Sequence, residues 1–65
     1  GAESRNDFIH KLGVVLKELK ECRSALKIII RKAMIKPSKL SGVYKETEGL
    51  IAIIATSIET AEKNR

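Results

Sequence analysis

The chain has 65 residues, 43% of them hydrophobic, and 13 Lys and Arg against 8 Asp and Glu give a net charge of +5. A single domain of this length buries only about 60% of its unfolded surface, and one small core rarely contributes more than about 3–5 kcal/mol. The lone cysteine, Cys22, excludes an internal disulfide and the lone histidine, His10, argues against a zinc site, which leaves association with other helices as the source of stability.

No apolar stretch approaches the roughly 18 residues of a bilayer-spanning helix, so no membrane partner is expected. The opening segment, Gly1 to Asp7, has neither the basic flank nor the apolar stretch of a secretory signal. A soluble, folded chain of a reducing cytoplasm is the expectation, and the positive balance favours acidic partners.

Along the first half, Phe8, Leu12, Val15, Leu19, Cys22, Leu26, Ile29 and Ala33 recur at alternating steps of four and three. That rhythm lines one face of a helix and matches the seam of a heptad repeat. A second line, Ile9, Leu16 and Ile30, runs beside it and is interrupted by Arg23. The spacing predicts a helix over about residues 5–34, with Ser4 as N-cap and Asp7 in the first turn, where negative charge is favoured.

Lys36-Pro37-Ser38 then breaks the pattern. Proline disfavours helical geometry at the residue before it, and Ser38 is a candidate cap for a second helix. Leu40, Val43, Thr47, Leu50, Ile54, Ser57 and Ala61 resume the rhythm, with Tyr44, Ile51 and Ile58 widening the face. They predict that second helix over about residues 39–63. A turn of about residues 35–38 makes the two helices antiparallel neighbours.

The fold class is therefore all-α: a long antiparallel two-helix hairpin. Its apolar faces are wider than one shared interface requires, since Val14, Ile28, Ile35 and Ile53 lie off the main seams. A face that wide belongs to a helix touching more than one neighbour, as in an up-and-down four-helix bundle. The hairpin would then be half of such a bundle, completed by oligomerisation or by a further polypeptide. Leu12, Leu19, Leu26, Ile29, Leu50 and Ile54 are the candidate core and oligomer seam.

Particular stretches also carry a family resemblance. Glu3-Ser4-Arg5-Asn6-Asp7-Phe8-Ile9-His10-Lys11-Leu12, Val15-Leu16-Lys17-Glu18-Leu19-Lys20-Glu21, Lys45-Glu46-Thr47-Glu48 and Leu50-Ile51-Ala52-Ile53 resemble one known family. It comprises the small four-helix-bundle proteins encoded in intervening sequences of bacterial 23S rRNA genes, and these are similar to the accessory variability protein of diversity-generating retroelements. The resemblance spans essentially the whole chain and about half of a typical member, its second half. Arg23-Ser24-Ala25 departs from the bulkier residues of the pattern, and Gly49 from its usual helix former. The resemblance implies the missing half of a four-helix bundle, assembly into rings that are commonly pentameric, and a connection to RNA or DNA.

Charge is the remaining feature with chemical content. All of the +5 lies in residues 1–36, which hold nine Lys and Arg against four Asp and Glu, while residues 37–65 hold four of each. Lys17, Lys20, Lys27 and Arg31 form a ridge on the outer face of the first helix, extended by Lys32 and Lys36 towards the turn. They are candidate phosphate contacts for a sequence-independent RNA or DNA interaction, with Glu21 the one acid in the stripe's middle. Phe8 and Tyr44 sit on core faces, so no stacking platform for single strands is expected.

No catalytic or metal-ligating set emerges. His10 reads as a surface residue, and Cys22 as a small buried hydrophobe with no base in reach. Glu18 and Glu21 lack a Glu-x-x-His companion. Glu46, Glu48, Glu59 and Glu62 read as surface charge. A non-enzymatic chain without cofactor is expected, its partners a second copy (a dimer of hairpins or a ring), nucleic acid or another protein.

Overall fold

The computed structural model describes residues 2–32 and 34–64, with the backbone alone at Ala2 and Glu3. Two helices account for nearly all of it: α1, Ala2–Arg31, of 30 residues, and α2, Pro37–Lys63, of 27 residues. They pack as an antiparallel hairpin, so the expected all-α class holds. The molecule is a rod of 48 × 14 × 11 Å.

The helix ends differ from the sequence expectation. α1 begins at Ala2, which places Ser4 inside the helix and removes it as N-cap. Ala2 and Glu3 are strong helix formers, and they extend the helix past the serine. Asp7 pairs with Lys11 at 3.0 Å, one turn on and in the favourable acid-before-base order.

At its other end α1 stops at Arg31, short of residue 34. The Lys32 N–H donates to the Ile28 carbonyl at 2.9 Å and the Met34 N–H to the Ile29 carbonyl at 3.2 Å. Such back-bonding satisfies carbonyls that a helix end leaves without partners. Ala33, the last residue of the expected seam, lies outside the described residues.

Ser38 does not cap α2 either. The N-cap is Lys36, at φ −57° and ψ 131°, with no side-chain capping bond, and Pro37 occupies the first helical turn. Proline's fixed φ suits that position and its missing N–H would have lacked a partner anyway, while it holds Lys36 in extended geometry. At the open end of the hairpin the Arg5 guanidinium donates to the Asn64 carbonyl, tying α1 to the C-terminus of α2. A cation there also meets the negative end of the helix dipole.

The core is thin. Leu26 and Ile51, each 8% exposed, are its buried apolar residues, joined by Thr47, whose hydroxyl donates to the Val43 carbonyl at 2.8 Å. The accessible surface is 5039 Å², whereas a compact monomer of this mass would expose about 4,100 Å². The hairpin therefore shows roughly 900 Å² more surface than a self-sufficient domain of its mass.

The seam is rotated from its expected phase. Ile9, Leu12, Leu16, Leu19, Arg23, Leu26 and Ile30 of α1 turn towards α2, while Phe8 and Val15 are exposed. Cys22, expected in the core, is also exposed. On α2 the facing residues are Leu40, Tyr44, Thr47, Ile51, Ile54, Ile58 and Ala61, and Val43 and Leu50 lie outside. Of the expected seam, Leu12, Leu19, Leu26 and Ile54 pack between the helices, Ile29 is half-buried at the margin, and Leu50 is 47% exposed.

The physical reason is that α1 carries three adjacent apolar lines and one neighbouring helix covers two. Leu16 and Ile30 bring more apolar bulk to the interface than Val15 and Cys22. Arg23 is tolerated in the winning line because its guanidinium reaches Glu48 across the interface at 3.3 Å. Glu48 is thus half-buried and paired, not ordinary surface charge.

A partly exposed pair of this kind contributes at most about 1 kcal/mol, and an aliphatic side chain in its place often stabilises. Arg23→Leu together with Glu48→Leu, which replaces both partners and completes the line of Ile9, Leu16 and Ile30, is expected to raise the thermal midpoint by roughly 4–8 °C for a gain of about 1 kcal/mol. An unchanged midpoint in circular dichroism melts would place the pair outside the seam, and a lowered one would show that the ion pair stabilises the hairpin more than apolar packing does.

Candidate functional site

Because the helices run antiparallel, the residues flanking the seam on one side of α1 share a side of the hairpin with the corresponding flank of α2. The Arg23–Glu48 pair sets the register. It places Val15 level with Ser57, Cys22 with Leu50 and Ile29 with Val43, to within about one residue.

One long side is therefore apolar. Phe8, Val15 and Cys22 of α1 lie on it with Val43, Leu50 and Ile53 of α2, and all six are exposed. Phe8 is 54% and Ile53 61% exposed, so this side presents half-open apolar side chains, spaced by the exposed Lys11 on α1 and by Lys39 and Glu46 on α2. The expectation of apolar faces wider than the hairpin interface is met: this flank is uncovered, and Val14 and Ile28 on other faces of α1 and Met34 and Ile35 in the connection are exposed as well.

The opposite side carries the ridge, which borders grooves that are themselves partly apolar. Lys17 and Lys20 border a shallow groove with Gly13, Leu16, Glu21 and Ser24. Lys27 and Arg31 border a second groove with Ile30 and Tyr44. All four cations are exposed, and among the described residues none is ion-paired, so Glu21 does not neutralise Lys17. From Lys17 to Arg31 the ridge covers about 21 Å of helix, and Lys32 and Lys36 continue it, exposed, into the connection. Glu48 is the nearest α2 carboxylate and is engaged with Arg23, whereas the register places Glu59 and Glu62 towards the open end. The half of the rod nearer the turn is thus the more positive.

His10 is exposed, as expected, and Tyr44 is half-buried at the edge of the seam. His10 lies on the ridge side and Cys22 on the apolar side, separated by about 18 Å along α1. The described residues contain no group of three or more His, Cys, Asp or Glu placed to hold a metal ion, and none of the described helices is long and apolar enough to cross a membrane.

Two features escaped the sequence pattern: the outward turn of Phe8, Val15 and Cys22, and the engagement of Arg23 with Glu48. A signal for the second was present, since Arg23 and Glu48 each interrupt an apolar stretch at positions that an antiparallel register brings level.

The fold and its two sides define a class, a two-helix rod with one uncovered apolar flank and one basic flank. Comparison of the chain with protein-family models, curated proteins and solved structures finds no match.

Proposed function

We propose that the chain is a non-catalytic helical assembly module, a half-bundle that completes its core by associating with further helices. The observation that carries this reading is the surface excess of roughly 900 Å² over a compact domain, because a standard interface buries about 800 Å² on each partner. A four-helix bundle made of two hairpins, or a ring of them as the family resemblance implies, would remove that excess. The separation of His10 from Cys22 supports a binding role over a catalytic one.

Association stabilises the folded state by mass action, so the melting midpoint of an assembling hairpin rises with concentration. The midpoint of the helical circular dichroism signal is expected to climb over a hundredfold range of protein concentration. A midpoint that does not move would contradict assembly.

A second reading is favoured by the ridge: an accessory protein that binds RNA or DNA through phosphates without reading sequence. The unpaired state of Lys17, Lys20, Lys27 and Arg31, all on one side of the rod, supports it. The two roles are compatible, since the ridge lies away from the apolar flank, and assembly multiplies a weak contact through avidity.

A further inference from the structure

The assembly reading leaves open which surface is covered and by what. We propose that the apolar side bearing Phe8, Val15, Cys22, Val43, Leu50 and Ile53 is covered by a second copy of this chain, lying face to face along the rod with Cys22 enclosed between the two. This inference rests on the assembly reading and goes beyond it by naming the face, its occupant and a residue that reports on it.

Area is the first ground. The face of the rod that bears the row measures about 700 Å² as a flat strip of 48 by 14 Å, close to the roughly 800 Å² each partner buries in a stable interface, and the apolar residues occupy about 32 Å of its length. A full-length helical partner is required to cover such a strip, and a second hairpin has the same length by construction. A short peptide would leave most of the row wet.

Charge is the second. The rim of this side carries Lys11, itself paired with Asp7, and Lys39 against Glu18 and Glu46, so it holds none of the chain's net positive charge. Two like copies meeting here bring little charge of one sign together. An acidic protein or a nucleic acid is drawn instead to the opposite side, where Lys17, Lys20, Lys27 and Arg31 stand. Face-to-face pairing leaves both ridges on the outer surfaces of the resulting four-helix rod. The third ground is composition: both helices contribute apolar residues to this side, with Cys22 level with Leu50, as a self-complementary interface needs.

The thiol supplies the test, because Cys22 is exposed on the isolated hairpin and enclosed in the pair. The wild-type chain is run on gel filtration with light scattering, and the same samples are reacted with a chromogenic aromatic disulfide, with the chain in denaturant as reference. The expected result is a mass that is a whole multiple of 7.2 kDa, with Cys22 reacting at least about tenfold more slowly than in denaturant. Leu50→Lys is expected to lower the mass and release the thiol, and Ala52→Lys, on the polar side of the same helix, to change neither. A multiple in which Cys22 reacts as fast as in denaturant would overturn this face while leaving assembly standing. A folded monomer with a free thiol would overturn both. The wild-type measurement decides even if Leu50→Lys fails to fold.

Discussion

Replacing Leu26 with aspartate is expected to abolish both the hairpin and its association. Leu26 is one of two buried apolar residues among the described ones, and it stands in the inter-helix seam. Removing its side chain from the interface forfeits about 1.5–3 kcal/mol of burial, and an unpaired carboxylate in its place adds the cost of desolvation. The sum, about 3–5 kcal/mol, equals what a core of this size supplies in total. Far-ultraviolet circular dichroism should show most of the helical signal and the cooperative melt lost, with no assembled species by light scattering. Val14→Asp is the control: Val14 is exposed on the outer face of α1, and its substitution should leave both readouts near wild type. A Leu26→Asp variant of unchanged helicity and mass would remove Leu26 from the core.

The second large effect concerns the ridge. If Lys17, Lys20, Lys27 and Arg31 each neutralise one phosphate, the logarithm of the affinity for a duplex falls with the logarithm of salt at a slope of about −3.6. Raising salt from about 50 to about 200 mM would then weaken filter binding to structured RNA roughly 150-fold. Changing the four residues to glutamine should remove most of the low-salt affinity and flatten the slope. Glutamine is nearly as good a helix former as lysine, so the hairpin itself should persist. Affinity that is insensitive to salt, or equal in the variant, would exclude the ridge as a phosphate-binding surface.

How far the molecule could be read from its sequence depends on which physical signal was single-valued. Pro37 breaks a period that runs on both sides of it, so two helices and a short antiparallel connection are legible directly. Rotation about the helix axis was ambiguous. Phe8, Val15, Cys22 and Ile29 form a line as regular as Ile9, Leu16, Arg23 and Ile30, and periodicity alone favoured the one without a charge. Interface bulk and the reach of Arg23 to Glu48 decided otherwise, and both depend on the partner helix. The caps were misread for a local reason: Ser4 and Ser38 are good capping residues, but Ala2 and Glu3 extend one helix and Pro37 starts the other. The ridge was legible because exposed lysines on one helix face need no partner to define them. The apolar flank became visible only once the seam's phase was known.

The central claim is that this hairpin does not stand alone, and its mass in solution tests that most directly. Light scattering after gel filtration, over a wide range of concentration, is predicted to give a helical species at a discrete multiple of 7.2 kDa. A helical, cooperatively melting species that stays at 7.2 kDa at every concentration would contradict the account, because the thin core around Leu26 and Ile51 would then suffice by itself.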